Sequence, residues 1–254
     1  MSETRWRLYV DTEPRSGAEN MAIDDALLRE AGGGIASFRL YRWDPPCLSF
    51  GRNEPALTRY DKDRIAALGL DTVRRPTGGR AVWHDREITY ALAAPINVFG
   101  TLRESYGEIH AVLARALRSL GVDADLAQVA RGRTPSLKAG ACFAAPVGGE
   151  VTVRGKKLVG SAQVRESDAF LQHGSILLED GQDLVQQITV GQQSPMHTTS
   201  LKDELNRVVS FDEVADSITQ EIKAAWIGKW DRKTDSPTGL SRDKFGTSEW
   251  TWRR

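Results

Sequence analysis

The sequence predicts an α+β fold with a central mixed or antiparallel sheet and flanking helices. Short β-prone segments dominate the middle of the chain, and amphipathic helical patterns flank them, most clearly over residues 102–120 and 212–227. The chain has 254 residues, 40% hydrophobic and 27% charged, which is enough to bury one sizeable core. This length favours one large domain or two small ones.

The first half of the chain is predicted to begin with a strand and a capped helix. Residues 6–11 alternate and are β-prone, and Ser16 with Glu19 forms a capping box that opens a helix over 17–31. The other elements predicted up to residue 95 are strands at 36–43 and 47–51, a short helix at 61–68, and two strands within 71–95 joined by a glycine turn at 76–79.

The second half is predicted to contain a long helix, a loop and three strands. Apolar residues recur at three- and four-residue steps over 102–120, whereas residues 122–149 have no period and predict a long, functional loop. The later predicted elements are strands at 150–154, 157–165 and 170–178 and a helix at 212–227. We expect residues 1–230 to form the folded domain and the polar residues 231–254 to form a loosely held tail.

The composition argues against several functional classes. Lys and Arg number 34 and Asp and Glu number 34, so the net charge of zero argues against a nucleic-acid partner. No apolar stretch is long enough to cross a membrane, and the N-terminal residues lack the apolar core of a signal peptide. With two cysteines and no Cys/His cluster at zinc spacing, we predict no metal site, no membrane partner and a reducing, cytoplasmic location.

Cys142 is the candidate nucleophile. It lies in the predicted loop, where residues 128–157 contain six basic residues and one acidic residue, Glu150. A cationic environment lowers the pKa of a thiol and favours the nucleophilic thiolate. Most free cysteines are small core residues instead, and that is the prediction for Cys47, which begins an apolar strand.

A lysine and two histidines are further candidates. Either Lys156 or Lys157 points inward at the start of a predicted strand, and the sequence does not decide which. A buried lysine is rare unless it is paired or functional. His84 and His173 are each interpreted either as a base or, more often, as a buried hydrogen-bonded histidine.

The predicted glycine turn carries three arginines. Gly78 and Gly79 let the backbone approach a ligand and direct N–H groups at it. Arg74, Arg75 and Arg80 can hold a carboxylate, a phosphate or an acidic partner surface. A hairpin turn with solvated charges explains the spacing equally well, and the chain has no GxxxxGK[ST] phosphate loop.

Three segments resemble the biotin/lipoate protein ligase and lipoyl(octanoyl)transferase superfamily. They are RRPTGGRAVWHDREITYALAAP, GKKLVGSAQVRESDAFLQHGSILL and the N-terminal DTEPRSGAENMAIDDALL, and the likeness runs from about Trp6 to Trp226. Within the superfamily, GACFAAP and the GGR in place of a third glycine resemble the LipM-type octanoyltransferases. We expect no additional C-terminal domain of the kind that many lipoate ligases carry.

This resemblance implies a catalytic domain over residues 1–230 with a mixed central sheet and a small second sheet. It implies octanoyl transfer from acyl carrier protein to a lysine of a lipoyl domain, typically the H protein of glycine cleavage. Cys142 would form a thioester, Lys157 would be its catalytic partner, and no cofactor would be needed. The residues expected to bind substrate are Arg74, Gly78, Gly79, Arg80, His84, Gly160, Ser161, Ala162, His173 and Gly174.

Two alternatives stay open at this point. An ATP-dependent lipoate or biotin ligase on the same fold would use the glycine turn and Lys157 for an acyl-adenylate, and Cys142 would be incidental. A non-catalytic module would capture lipoyl domains without chemistry. Cys142 in its Cys-Phe context argues against the first, and the presence of both Cys142 and Lys157 argues against the second.

Overall fold

A computed structural model of the chain describes residues 4–128, 148–191, 195–234, 236–237 and 242–254, so Cys142 lies outside the described residues. The strands are β1 Arg5–Val10, β2 Ala36–Tyr41, β3 Cys47–Phe50, β4 Asp71–Arg74, β5 Val82–His84, β6 Glu87–Pro95, β7 Asp125–Leu126, β8 Val151–Val153, β9 Lys156–Lys157, β10 Val159–Glu166, β11 Ala169–Leu177 and β12 Lys229–Lys233. The helices are α1 Gly17–Gly32, α2 Ala56–Arg59, α3 Lys62–Ala67, α4 Leu102–Ser119, α5 Asp183–Gln187, α6 Leu201–Leu205, α7 Phe211–Ala225, α8 Arg242–Phe245 and α9 Ser248–Thr251.

The largest sheet has six strands in the order β10-β11-β6-β2-β1-β12. Strand β1 runs parallel to both of its neighbours, whereas β2, β6, β11 and β10 pair antiparallel in turn. The sheet is therefore mixed, which confirms the predicted α+β fold. Its last strand, β10, lies at an edge, which becomes important at the site.

Both faces of this sheet are covered by helices, and the alternation within β6 shows how. The even-numbered residues from 88 to 94 belong to the core under α4 and α7, whereas Ala91 and Ala93 belong to the core under α1. Successive side chains of a strand point to opposite faces, so a strand between two helical layers is apolar throughout. The predicted capping box of Ser16 and Glu19 starts α1 as expected.

Two small sheets flank the site: one contains the strands on either side of the glycine turn, and the other contains Lys157. One has the order β4-β3-β5, and the other has the order β7-β8-β9. The turn at 76–79 leads from β4 to β5, and the chain then turns again at Arg86, whose φ is +47°, and enters β6. Segment 71–95 therefore holds three strands in two sheets, where two strands were predicted.

The expectation of a loosely held C-terminal tail is wrong for its described part. Strand β12 crosses position 230 and pairs with β1, and Phe245 is buried. The Trp250 indole N–H donates to the carbonyl oxygen of Arg74 at 3.0 Å, and Arg74 Nε donates to the carbonyl oxygen of Thr251 at 2.9 Å. Sparse aromatic residues hold this polar segment in place, and the domain boundary at 230 stays a prediction.

Among the described residues, none of the helices combines the length and the apolar character that crossing a membrane requires.

Candidate active site

A narrow pocket lies where the six-stranded sheet meets the β4-β3-β5 sheet. Strands β5, β6, β10 and β11 contribute to its lining, together with α1 and the glycine-turn segment. The residues of the predicted binding set that line it are His84, Gly160, Ser161, Ala162, His173 and Gly174. Residues far apart in sequence therefore meet here.

The pocket requires a glycine at position 174. Gly174 pairs with Ser161 on one side and with Tyr90 on the other. A Cβ at Gly174 would collide with Ser161 Oγ and would lie 2.6 Å from the carbonyl oxygen of Gly160. Any larger residue would push β10 away from β11, so this glycine fixes the width of the pocket.

Lys157 points inward and Lys156 points outward, which decides the alternative that the sequence left open. Lys157 is 1% exposed, and its Nζ donates to Oε1 of Glu150, which is itself 2% exposed, at 2.7 Å. The hydroxyl of Tyr106 donates to the same carboxylate oxygen at 3.3 Å. A buried charge is tolerated when it is paired and hydrogen-bonded, so Lys157 and Glu150 act as one unit.

The backbone of Lys157 is held from both sides. Its N–H donates to the carbonyl oxygen of His197 at 2.7 Å, and its carbonyl oxygen accepts from the N–H of Thr199 at 3.1 Å. Thr152 lies opposite it in the β8–β9 pair. These contacts fix the main chain of Lys157 and thereby limit where its ammonium can lie.

A hydrogen-bonded network joins the surroundings of Lys157 to the pocket. The His110 ring packs edge-on against Tyr106, and its Nε2 lies 2.8 Å from Ser161 Oγ. Ser161 Oγ is also 2.7 Å from the hydroxyl of Tyr90. Burial, and then the positive charge of Lys157, lower the pKa of His110 to about 3, so this ring is neutral at pH 7.

His173 is oriented by a buried carboxylate. Its Nδ1 lies 2.9 Å from Asp24 Oδ2, and its Nε2 lies 2.6 Å from Thr77 Oγ1. Asp24 also accepts from the hydroxyl of Tyr41 and from Arg39. Burial lowers the pKa of His173 although Asp24 opposes that shift. The neutral ring thus donates to Asp24 and accepts from Thr77, which ties the glycine turn to β11.

His84 lies on the same side of the pocket and is paired with Glu87. Its ring stacks on Trp43 at 3.9 Å, its Nε2 lies 2.6 Å from Ser49 Oγ, and its Nδ1 lies 3.3 Å from Glu87 Oε1. Burial lowers the pKa of His84 well below its ordinary value and raises the pKa of Glu87 to about 8. Both groups are therefore neutral at pH 7, and their contact is a hydrogen bond and not an ion pair.

Arg74 does not line the pocket. Its guanidinium is fully buried and donates to the carbonyl oxygens of Gly51 at 2.7 Å, Glu54 at 2.9 Å and Thr251 at 2.9 Å. Those contacts join the loop after β3 to the C-terminal segment. Arg74 thus supports the glycine turn from behind, and its predicted role in substrate binding stays a prediction.

Arg75 takes the place in the lining that was predicted for Arg74. It donates to Ser49 Oγ at 2.6 Å and to the carbonyl oxygens of Gly78 at 3.1 Å and Arg80 at 2.9 Å. Gly79, the next residue of the turn, has a φ of +87°. In the described part of the chain, Gly78 and Arg80 contact the site through Arg75, and neither they nor Gly79 line the pocket themselves.

The lipoyl protein ligase A/B catalytic domain family matches the chain over residues 16–223. That match includes every residue that lines the pocket. The chain belongs to this family.

Full-length relatives within the family are octanoyltransferases. Octanoyltransferase LipM of Carboxydothermus hydrogenoformans is 35% identical over 98% of this chain and 98% of its own length. Octanoyltransferase LipM of Exiguobacterium sp. is 35% identical over the whole of both chains. Octanoyltransferase LipM of Kyrpidia tusciae is 46% identical over 68% of this chain and 66% of its own length.

Solved structures of lipoate ligases share the fold. The putative lipoate protein ligase Ta0514 of T. acidophilum, with bound lipoic acid, matches with a TM-score of 0.75 at 21% identity, over 99% of this chain and 100% of that one. Lipoate-protein ligase A bound with ATP matches with a TM-score of 0.77 at 22% identity, over 99% of both chains. At these identities the likeness shows the fold alone.

Several residues in or beside the pocket were missed by sequence reasoning, namely Asp24, Glu87, His110 and Glu150. Glu150 had a usable signal, because it is the one acidic residue in the basic segment 128–157. The predicted pairing of Cys142 with Lys157 lies outside the described residues and stays a prediction. The prediction for Cys47 is confirmed, since burial raises the pKa of its thiol well above the ordinary value.

No group of three or more His, Cys, Asp or Glu side chains in the described ranges is arranged to hold a metal ion.

Proposed function

We propose that this chain moves an octanoyl group from acyl carrier protein to the acceptor lysine of a lipoyl domain, with the H protein of glycine cleavage as the receiver. The observation that carries the proposal is its 35% identity to an octanoyltransferase over 98% of both chains. The chain is an acyltransferase of protein lipoylation, and its acceptor, its mechanism and its cytoplasmic location belong to the proposal.

The first step forms an acyl-enzyme. The Cys142 thiolate attacks the thioester carbonyl carbon, a new C–S bond forms, and the C–S bond to the carrier breaks. The departing carrier thiolate takes a proton from the Lys157 ammonium, which leaves a neutral amine. The Lys157 Nζ donates to the buried Glu150 carboxylate at 2.7 Å, which holds the proposed acid in place for this step.

The second step transfers the acyl group to the acceptor. The neutral amine of the acceptor lysine attacks the acyl-enzyme carbonyl, a C–N bond forms, and the C–S bond to Cys142 breaks. The proton lost by the attacking amine returns to Lys157, so the enzyme regains its starting charges. A thioester supplies the energy for the amide, so the cycle needs no ATP.

The carbonyl oxygen is proposed to be stabilised beside Gly160, Ser161 and Ala162. These residues lie on the edge strand β10, where alternate backbone N–H groups point away from β11. Ser161 adds a hydroxyl that His110 and Tyr90 hold in place. Preorganised donors of this kind stabilise the charge that develops on the carbonyl oxygen.

The neutral histidines support an acyl chain as the pocket's occupant. Burial lowers the pKa of both His84 and His173 and so favours their neutral rings at pH 7. An apolar chain that enters between these rings therefore does not desolvate a charged histidine. Met21, Val82 and Trp43 give the same pocket apolar surface.

Intact-protein mass spectrometry tests the proposal. Incubation with octanoyl-acyl carrier protein, without ATP or magnesium, is expected to add the mass of one octanoyl group to the wild type and to Cys47→Ala. Cys142→Ala is expected to stay unmodified, because it lacks the nucleophile. Equal acylation of Cys142→Ala and wild type would exclude the mechanism, and efficient modification of a lipoyl domain from free lipoate and ATP would favour a ligase.

A further inference from the structure

Three arginines form an exposed surface beside the glycine turn. Arg253 and Arg254 are exposed, and the side chain of Arg52 is 42% exposed. Arg253 Nη2 donates to the carbonyl oxygen of Arg52 at 2.7 Å, and the carbonyl oxygen of Arg254 accepts from the N–H of Leu57 at 2.9 Å. We call Arg52, Arg253 and Arg254 the arginine face.

The arginine face adjoins the pocket wall. The N–H of Arg52 donates to the carbonyl oxygen of Thr77 at 2.7 Å, and Thr77 contacts the pocket residue His173. The preceding Gly51 packs so closely on the glycine turn that a Cβ there would collide with the carbonyl oxygen of Gly79. A partner seated on this face is therefore held next to the site.

The positive charges of the face repel one another. Burial, and then the charges of Arg52 and Arg254, lower the pKa of Arg253. Burial, and then the charge of Arg253, lower the pKa of the buried Arg74 to about 10. Repulsion of this kind is unfavourable in the isolated protein, and the attraction of a bound anionic partner offsets it.

In the described part of the chain, Glu166 lies beside Arg52 and Glu54 lies beside Arg74, and neither neutralises the arginine face. Glu166 lies 3.4 Å from Arg52, but both side chains are largely exposed, and such pairs contribute little. Glu54 is buried and accepts from the hydroxyl of Tyr60 at 2.5 Å. The indole of Trp250 lies 3.8 Å below the guanidinium of Arg253 and holds it in place.

We infer that the arginine face docks the acidic surface of the carrier protein that presents the octanoyl thioester. This inference rests on the proposed function. The two partners of the reaction differ in charge as they approach the site, because the acceptor lysine is an ammonium in solution that loses a proton before it attacks, whereas the thioester of the donor is uncharged. Arginines beside the pocket repel the first and attract an acidic carrier, so the face belongs to the donor step.

Steady-state octanoyl transfer to a lipoyl domain, measured with three donors, tests the assignment. The variant is Arg253→Gln/Arg254→Gln, and the donors are octanoyl-acyl carrier protein, octanoyl-coenzyme A and octanoyl-pantetheine. We expect KM for the carrier-bound donor to rise at least fivefold at low salt while kcat stays unchanged. KM for the two small donors should not change, because they lack the protein surface.

The matched control is Arg115→Gln/Arg118→Gln, which removes two exposed charges from α4 and should leave every KM unchanged. Salt provides a test without any variant, because kcat/KM of the wild type should fall with rising salt for the carrier-bound donor alone. An unchanged KM for the carrier, or an equal rise with coenzyme A, would overturn the inference, the latter by showing that the arginines bind phosphate. A wild type that no donor acylates would overturn the proposed function instead.

Discussion

Buried polar groups on the two sides of the pocket differ in charge. Behind Ser161, Lys157 and Glu150 form an ion pair at 2.7 Å, whereas across the pocket His84 and Glu87 are both neutral. The Lys157–Glu150 pair thus keeps two full charges out of water, whereas the His84–Glu87 pair keeps none. Under the proposed mechanism, this difference places the proton donor at the ion pair and the acyl chain beside the neutral pair, because a proton donor needs charge and an acyl chain is best accommodated without it.

The largest effect is expected from removing the lysine charge. Lys157→Ala should slow acyl transfer by about 10²-fold or more and raise the apparent pKa of the Cys142 thiol toward roughly 8.5. Lys157→Arg keeps the charge but cannot release its proton, so it should restore alkylation by iodoacetamide better than it restores transfer. Alkylation rates measured against pH for the three proteins check this, and three overlaying curves would show that Lys157 does not set the state of Cys142.

A smaller effect is expected from removing the partner of that lysine. Glu150→Gln leaves a buried ammonium without its carboxylate and should lower the free energy of unfolding by about 3 kcal/mol. Lys157→Met/Glu150→Gln removes both charges and should recover most of that loss. Urea unfolding of the single and double variants measures the coupling, and additive losses would argue against a paired unit.

A pH-dependent effect is expected from the same substitution on the histidine side, at Glu87. The folded pKa of Glu87 is about 8, above the roughly 4.3 of an unfolded glutamate, so the folded state binds the extra proton between these values. The contribution of Glu87 to the free energy of unfolding should therefore fall by up to ~1.4 kcal/mol per pH unit as the pH rises through that window.

Glu87→Gln replaces a neutral carboxyl by a neutral amide and should remove this fall. The free energies of unfolding of wild type and variant should be similar near pH 4 and should diverge toward pH 8, with the variant the more stable. Denaturation at four or five pH values measures the difference, and parallel curves would mean that Glu87 is ionised in the folded protein.

Local signals predicted the fold well, because its elements begin and end at residues with a recognisable mechanism. The capping residue Ser16 starts α1, and the strands predicted at 150–154, 157–165 and 170–178 begin and end within two residues of β8, β10 and β11. The partners within the site were not predictable in this way. Asp24 and His173 are 149 residues apart and meet only because α1 packs across β11.

The same limit explains Arg74 and Arg75. Neighbouring residues at the end of a strand point to opposite sides, and composition does not tell which of the two faces the pocket. The C-terminal segment was misjudged because its polar composition concealed Phe245 and Trp250, which are enough to hold it.

The contact between Arg74 and the C-terminal segment also affects when the site is completed during synthesis. Arg74 Nε donates to the carbonyl oxygen of Thr251, a residue that is 177 positions later in the chain. In a ribosome-bound chain, the loop after β3 and the glycine turn can form early. The hydrogen bond from Arg74 Nε cannot form until Thr251 has emerged from the ribosome. Helix α9 thus completes the support of the pocket, and a chain interrupted before it leaves Arg74 Nε without this acceptor.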